Sequence, residues 1–191
     1  SPLSRNDAQT ALDVAFDYAD CGCLAEAASI LENHHAKEVL SVAVPNPLER
    51  TASTCYALAW LQDLLEEKDK SQASLRAARD LTPDYFCPSR LHEAAVLQWA
   101  LVQPGPDRNA AYGLGNFLYD KKRHLDAITA WEKARTADGA FATAHRNLGI
   151  AYWNSRRDAA AARASYEKAL SIDPTDSRLV SEFVQLRAKL P

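Results

Sequence analysis

The chain has 191 residues, 47% of them hydrophobic and 25% charged, which supplies enough apolar material for a substantial core and excludes a disordered chain. Its 22 Lys and Arg stand against 25 Asp and Glu, a formal charge of −3 with no long run of either sign, so nucleic acid is not an expected partner. No apolar stretch reaches the roughly 18–20 residues of a membrane span, so no membrane partner is expected either.

In chain order, Val14-Ala15, Tyr18, Gly22, Leu24, Ala27 and Leu31 predict a first helical hairpin, about Asp7–Asp20 and Leu24–His35. Val42-Ala43-Val44-Pro45-Asn46-Pro47 follows as an extended linker, because each Pro disfavours helix in the residue before it. Leu58-Ala59, Leu75 and Ala78 predict two more helices, near Leu48–Glu67 and Ser71–Leu81, ahead of Pro83. Pro88 to Val102 reads as a lone helix with Leu91, Ala94-Ala95, Leu97 and Leu101 at helical spacing, stopped by Pro104-Gly105-Pro106.

The strongest internal repeat starts at Arg108. Ala110, Leu114-Gly115-Asn116, Tyr119, Ala127-Ile128, Trp131 and Ala134 make one unit. Ala144, Asn147, Leu148-Gly149, Tyr152, Ala162, Tyr166, Ala169-Leu170 and Asp173-Pro174 make a second. Its first helix follows one ~34-residue period later, and its later half lies one residue beyond that period. The extra residue is expected in the turn Asn154 to Asp158. Gly115 and Gly149 permit close helix approach, and Trp131 and Tyr166 fill the space opposite. After Pro174, Leu179-Val180, Phe183-Val184, Leu186 and Leu190 form the apolar stripe of a terminal capping helix.

These residues resemble the tetratricopeptide repeat family. The resemblance is densest over Arg108 to Pro174, with Ala111 and His145 where the family often has Trp, and Gly139 in place of a repeat-ending Pro. It implies an all-α fold, a right-handed α-α superhelix of about ten antiparallel helices. Residues 1–107 would form divergent hairpins, 108–175 two regular repeats and 176–191 the cap, in one continuous solenoid. The strings Pro83 to Leu91, Gly113 to Lys121 and His145 to Leu148 also resemble the C-terminal repeat region of large bacterial proteins with a β-rich, carbohydrate-active-like upstream domain. With no Met in the chain, a fragment of a longer, cytoplasmic polypeptide is expected.

The chemistry expected is binding. There is no Gly-rich phosphate loop, no Gly-x-Ser-x-Gly elbow and no His-Glu-x-x-His helix, and His92-Glu93 lacks a second His. Cys21, Cys23, Cys55 and Cys87 read as reduced thiols, and the spacing of Cys21 and Cys23 does not complete a structural zinc site. No catalytic residue, metal or cofactor is therefore expected. The resemblance implies a concave wall of first helices, lined by Asn109, Tyr112, Asn116, Tyr119 and Asp120 in one repeat and Thr143, Arg146, Ile150, Trp153 and Asn154 in the next. Asn side chains can pair with an extended backbone, Arg146 can meet a carboxylate, and the aromatics add apolar contact. Asn116 and Asn147 match two positions of the family's carboxylate clamp, but Tyr112 stands at a Lys position. The expected function is a non-catalytic protein-protein interaction scaffold. Its partner would be a protein or peptide, or the upstream domain of the same polypeptide. The alternative is an accessory or dimerisation segment of a carbohydrate-active enzyme.

Overall fold

The computed structural model describes residues 8–40, 51–82 and 86–189, with backbone alone over 36–40. The linker expected at Val42 to Pro47, the helix start expected at Leu48 and the segment Pro83 to Tyr85 lie outside the described residues. Ten α-helices and no strand occur among the described residues. They are α1 (Ala8–Asp20), α2 (Leu24–Leu40), α3 (Ala52–Leu64), α4 (Lys68–Asp80), α5 (Leu91–Ala100), α6 (Arg108–Asp120), α7 (His124–Ala137), α8 (Ala142–Ala151), α9 (Ala159–Ile172) and α10 (Ser177–Arg187). The chain divides into two compact units, Ser1–Pro104 and Gly105–Pro191.

Each unit holds two hairpins, α1–α2 and α3–α4 in the first, α6–α7 and α8–α9 in the second. All four share one register. The eighth residue of every first helix is small, Ala15, Ala59, Gly115 or Gly149, and the eighth of every second helix is large, Leu31, Leu75, Trp131 or Tyr166. The fourth residue of each second helix is Ala27, Ser71, Ala127 or Ala162, all fully buried. Gly is obligatory in the second unit. A Cβ on Gly149 would come within 2.6 Å of the Tyr166 ring, and one on Gly115 would overlap the Trp131 indole. The hairpins outside 108–175 therefore keep the repeat register, although the residues that carry it have changed.

The turns between paired helices also agree. Gly22, Glu66, Lys122 and Arg157 each adopt positive φ (79°, 62°, 63° and 56°) two residues before the second helix begins. The next N–H reaches back five residues in three of them, Cys23 to Tyr18 O, Glu67 to Gln62 O and Arg123 to Leu118 O, all 2.9 Å, which closes a Schellman end. In the fourth, Asp158 N reaches back six residues to Tyr152 O at 3.0 Å, across a π-helical turn at Tyr152–Arg156. The extra residue thus widens the end of α8 and is absorbed as a π turn at the start of the expected Asn154–Asp158 segment. Tyr152 fixes this turn. Its hydroxyl donates to Glu132 at 2.6 Å, and burial together with that bond pushes its pKa up to about 12.

Side-chain caps start the helices where the sequence supplies them. Asp107 accepts from Ala110 N and Asp158 from Ala161 N, both at 2.9 Å, and Asp176 accepts from Arg178 and Leu179 N. Helix α3 is buried on nearly every side, since α1, α2, α4 and α5 all pack on it, which suits its continuous apolar run from Cys55 to Leu61. The lone helix expected between Pro88 and Val102 is α5. It packs on α3. Trp60 and Trp99 are half-buried, and the Trp99 indole donates to Asp63 at 3.1 Å.

Candidate functional site

In the second unit, α6, the following turn, α7 and α8 enclose an open cavity of about 320 Å³. It is lined by Asn116, Tyr119 and Asp120 of α6, Lys122 of the turn, Trp131 of α7, and Asn147 and Ile150 of α8. The shared register creates this place. Asn116 and Asn147 each follow the obligatory glycine by one or precede it by two residues, so both amides stand beside the closest helix crossing. Asn116 Oδ1 accepts from the Trp131 indole at 3.1 Å and from Asn147 Nδ2 at 3.2 Å.

An amide nitrogen carries two protons, so Asn147 keeps a second donor after pairing with Asn116. Around this polar floor stand the rings of Tyr119 and Trp131, with centroids 5.3 Å apart, and the aliphatic side chain of Ile150. Asp120 and Lys122 bring opposite charges to the rim. Lys121 pairs with Asp120 at 2.9 Å, and its hydrogen bond and charge hold the Asp120 carboxyl below its ordinary range. Such a carboxylate stays ionised and accepts hydrogen bonds; it is poorly suited to carry protons at neutral pH.

Six of the ten residues expected on the wall, Asn109, Tyr112, Asn116, Tyr119, Arg146 and Trp153, take different places. Asn116 and Tyr119 line the cavity. Asn109 is fully buried near the start of α6, and Tyr112 is 8% exposed, edge-on to Phe141 with ring centroids 4.9 Å apart. Arg146 is 12% exposed and forms a bidentate pair with Glu182 of α10, at 2.5 and 2.8 Å. Burial opposes both charges of that pair, yet their mutual attraction wins, so Arg146 is pushed up and Glu182 down. Trp153 is half-buried on the π turn. Arg146 also lines a second recess, of about 160 Å³, with Thr143, Asp173, Asp176 and Arg178.

Lys122 and Trp131 were not among the expected wall residues. Lys122 sits in a charged turn that reads as solvated surface, and Trp131 fills the hairpin interior while showing one edge to the cavity. For Lys122 the signal lay in its alignment with Gly22, which marks the left-handed turn position.

No group of three or more His, Cys, Asp or Glu able to hold a metal occurs among the described residues. No described helix is long and apolar enough to cross a membrane.

The tetratricopeptide repeat family model matches residues 90–140 and 123–177, a stretch holding α5 to α9. Among solved structures, pilF of Pseudomonas aeruginosa is 18% identical, with 95% of this chain and 68% of that chain covered and a TM-score of 0.49. MamA from Desulfovibrio magneticus RS-1 is 16% identical, with 98% and 86% covered and a TM-score of 0.43. YrrB, a tetratricopeptide repeat protein with an unusual peptide-binding site, is 19% identical, with 98% and 94% covered and a TM-score of 0.42. The family match spans both obligatory glycine–aromatic pairs, so residues 90–177 are similar to tetratricopeptide repeats.

Proposed function

We propose that this protein is a non-catalytic interaction module whose second unit holds an extended segment of a partner protein in the Asn116–Asn147 cavity. The cavity itself carries the reading: an open recess whose floor is a pair of hydrogen-bonded amides and whose walls are two aromatic rings and an Ile. An extended backbone presents a repeating series of N–H and C=O groups, which the Asn147 amide can meet. Tyr119, Trp131 and Ile150 cover an apolar side chain at small entropic cost. Lys122 lines the rim of the cavity, where its ammonium can meet an acidic group of the partner.

Proton transfer is not what these groups are arranged for. The strongly raised tyrosines, Tyr152 and Tyr166, both about 12, are engaged with Glu132 and Glu182 in helix packing. The bacterial-type strings from Pro83 to Leu148 support a role within a larger polypeptide, where a module of this kind would recruit rather than react.

The test is selection of short peptides from a display library on the full chain, followed by titration of one selected peptide. Tyr119→Ala and Ile150→Lys should each weaken binding roughly tenfold, as expected for contacts at the centre of a small interface. Thr143→Ala, outside the cavity, should leave it unchanged. Binding insensitive to both cavity substitutions would falsify the assignment.

A further inference from the structure

An asparagine amide can turn over end for end, and each orientation shows a ligand the opposite half of the group. In the Asn116–Asn147 cavity the choice is made by neighbours that cannot reverse. The Trp131 indole only donates, so its bond at 3.1 Å fixes Asn116 with Oδ1 toward the indole. Asn147 must then meet that same oxygen with Nδ2, at 3.2 Å. At the other end the Arg146 guanidinium, also a donor only, reaches Asn147 Oδ1 at 3.3 Å. The two ends agree, and both amides are held in one sense.

Arg146 is itself held. Its pair with Glu182 of α10 uses Nε and Nη2, and the remaining terminal nitrogen, Nη1, is the one that meets Asn147. Glu182 in turn accepts from Arg178 at 3.1 Å, and the hydroxyl of Tyr166, the ring opposite Gly149, stands 3.5 Å from it. A planar guanidinium can grip a carboxylate and an amide oxygen at fixed angles, which a single ammonium on a flexible stem cannot. One line of contacts thus runs from α10 through α8 to the floor of the cavity. Along it both lone pairs of Asn116 Oδ1 are taken, by Trp131 and by Asn147, and Asn147 Oδ1 is turned to Arg146. What Asn147 has left to offer is its second N–H.

We infer that Trp131 and the Arg146–Glu182 pair are positioning groups that lock the floor amides in one sense, so that the cavity offers a donor and selects a backbone carbonyl of its partner over a backbone N–H. This rests on the reading of the cavity as a site for an extended segment, and it says how such a segment lies. In an extended chain alternate residues face the same way. Fixing one carbonyl on Asn147 therefore fixes which alternate side chains face Tyr119, Trp131 and Ile150. Arg146 acts through Asn147 rather than on the partner, and the carboxylate it was expected to meet is supplied by α10. The cap helix thereby takes part in specificity without lining the cavity.

The experiment takes the peptide selected on the full chain and replaces its backbone carbonyl oxygens one at a time by sulfur, a poor acceptor that leaves the N–H in place. One position should lose roughly tenfold in affinity, the size of one hydrogen bond. On Trp131→Phe, and on Arg146→Lys, which keeps a cation beside Glu182, that penalty should fall below about threefold, because an amide released at one end can present its oxygen instead. The penalty is a ratio of two peptides on one protein, so a loosening of the fold that weakens both alike does not move it. Thr143→Ala should keep it in full. The inference alone is overturned if binding depends on Tyr119 and Ile150 but no sulfur position costs affinity, if the penalty survives in either variant, or if Thr143→Ala removes it. Binding indifferent to Tyr119→Ala and Ile150→Lys overturns the cavity reading and this inference with it.

Discussion

The two units solve one packing problem with different divisions of volume. In the first, a methyl group on Ala15 or Ala59 occupies the small place and Leu31 or Leu75 the large one. In the second, Gly115 and Gly149 give up the methyl, and Trp131 and Tyr166 take the space released. The exchange has a functional side. A Leu ends inside the hairpin, whereas Trp131 spans it and delivers an indole N–H to Asn116 in the cavity. The aromatic version of the repeat is the one that connects its core to its recess.

The largest expected effect breaks that division directly. Gly115→Ala should cost about 2–3 kcal/mol, because the added methyl overlaps the indole and neither helix can withdraw from a packed hairpin. Combining it with Trp131→Leu, which rebuilds the first unit's pairing inside the second, should recover at least about 1 kcal/mol of the summed single costs in a double-mutant cycle of denaturant unfolding. Simple additivity would show that the two pairings are not interchangeable solutions.

Next in size is the tie that fastens α10 to α8. Glu182→Ala should cost about 2 kcal/mol, since Arg146 would be left partly buried without its carboxylate. Acid should act in the same place in two stages. His145 is lowered from its ordinary 6.5, by burial acting against the hydrogen bond its Nε2 donates to Gly139 O, so the folded unit binds fewer protons than the unfolded chain and loses stability as pH falls below that value. Glu182 is lowered from 4.5, because Arg146 outweighs burial, and Asp138 from 3.8 by its bonds to Arg108 and Ala140 N. Their contributions are present above those ordinary values and are lost as pH drops through the lowered ones. Unfolding curves recorded by tryptophan fluorescence from pH 7 to 3 should therefore slope downward twice, and His145→Gln should remove the first slope.

The smallest effects concern the turns, where the comparison runs the other way and the first unit has the easier residue in one case. Gly22→Ala should cost about 1 kcal/mol, and Glu66→Gly and Arg157→Gly should each add roughly 0.5–1 kcal/mol, because only glycine takes positive φ without strain. Thermal unfolding of the three variants is the measurement.

The repeats were legible in the sequence for a physical reason: glycine and a large aromatic at fixed separation record a helix crossing that admits nothing else. Leu75 and Ala59 carry the same geometry with residues common in any helix, so the sequence placed the first unit's hairpins, while the residue-by-residue register they share with the second unit emerged from the fold. The resemblance to the repeat family placed Asn116 and Tyr119 on the expected wall, and both line the recess. It did not show that Tyr112 would be closed over by Phe141, or that Arg146 would find Glu182, because those partners come from later elements. The seat of α5 was hidden in the same way. Arg90 meets Asp13 across 77 residues of sequence, a distance over which no periodicity speaks.

The π turn at Tyr152–Arg156 bears on how such arrays change length. Had the added residue lengthened the connection alone, α9 could have slid along α8 and put Tyr166 out of line with Gly149. Widening one turn lets the surplus residue leave the cylinder sideways, and the next helix starts in phase. Counting residues therefore measures the repeat poorly. The invariant is mechanical, like a gear that still meshes although one tooth on its rim is broader: each hairpin keeps time by where its glycine meets its ring, and the spacing between them is free to vary by one.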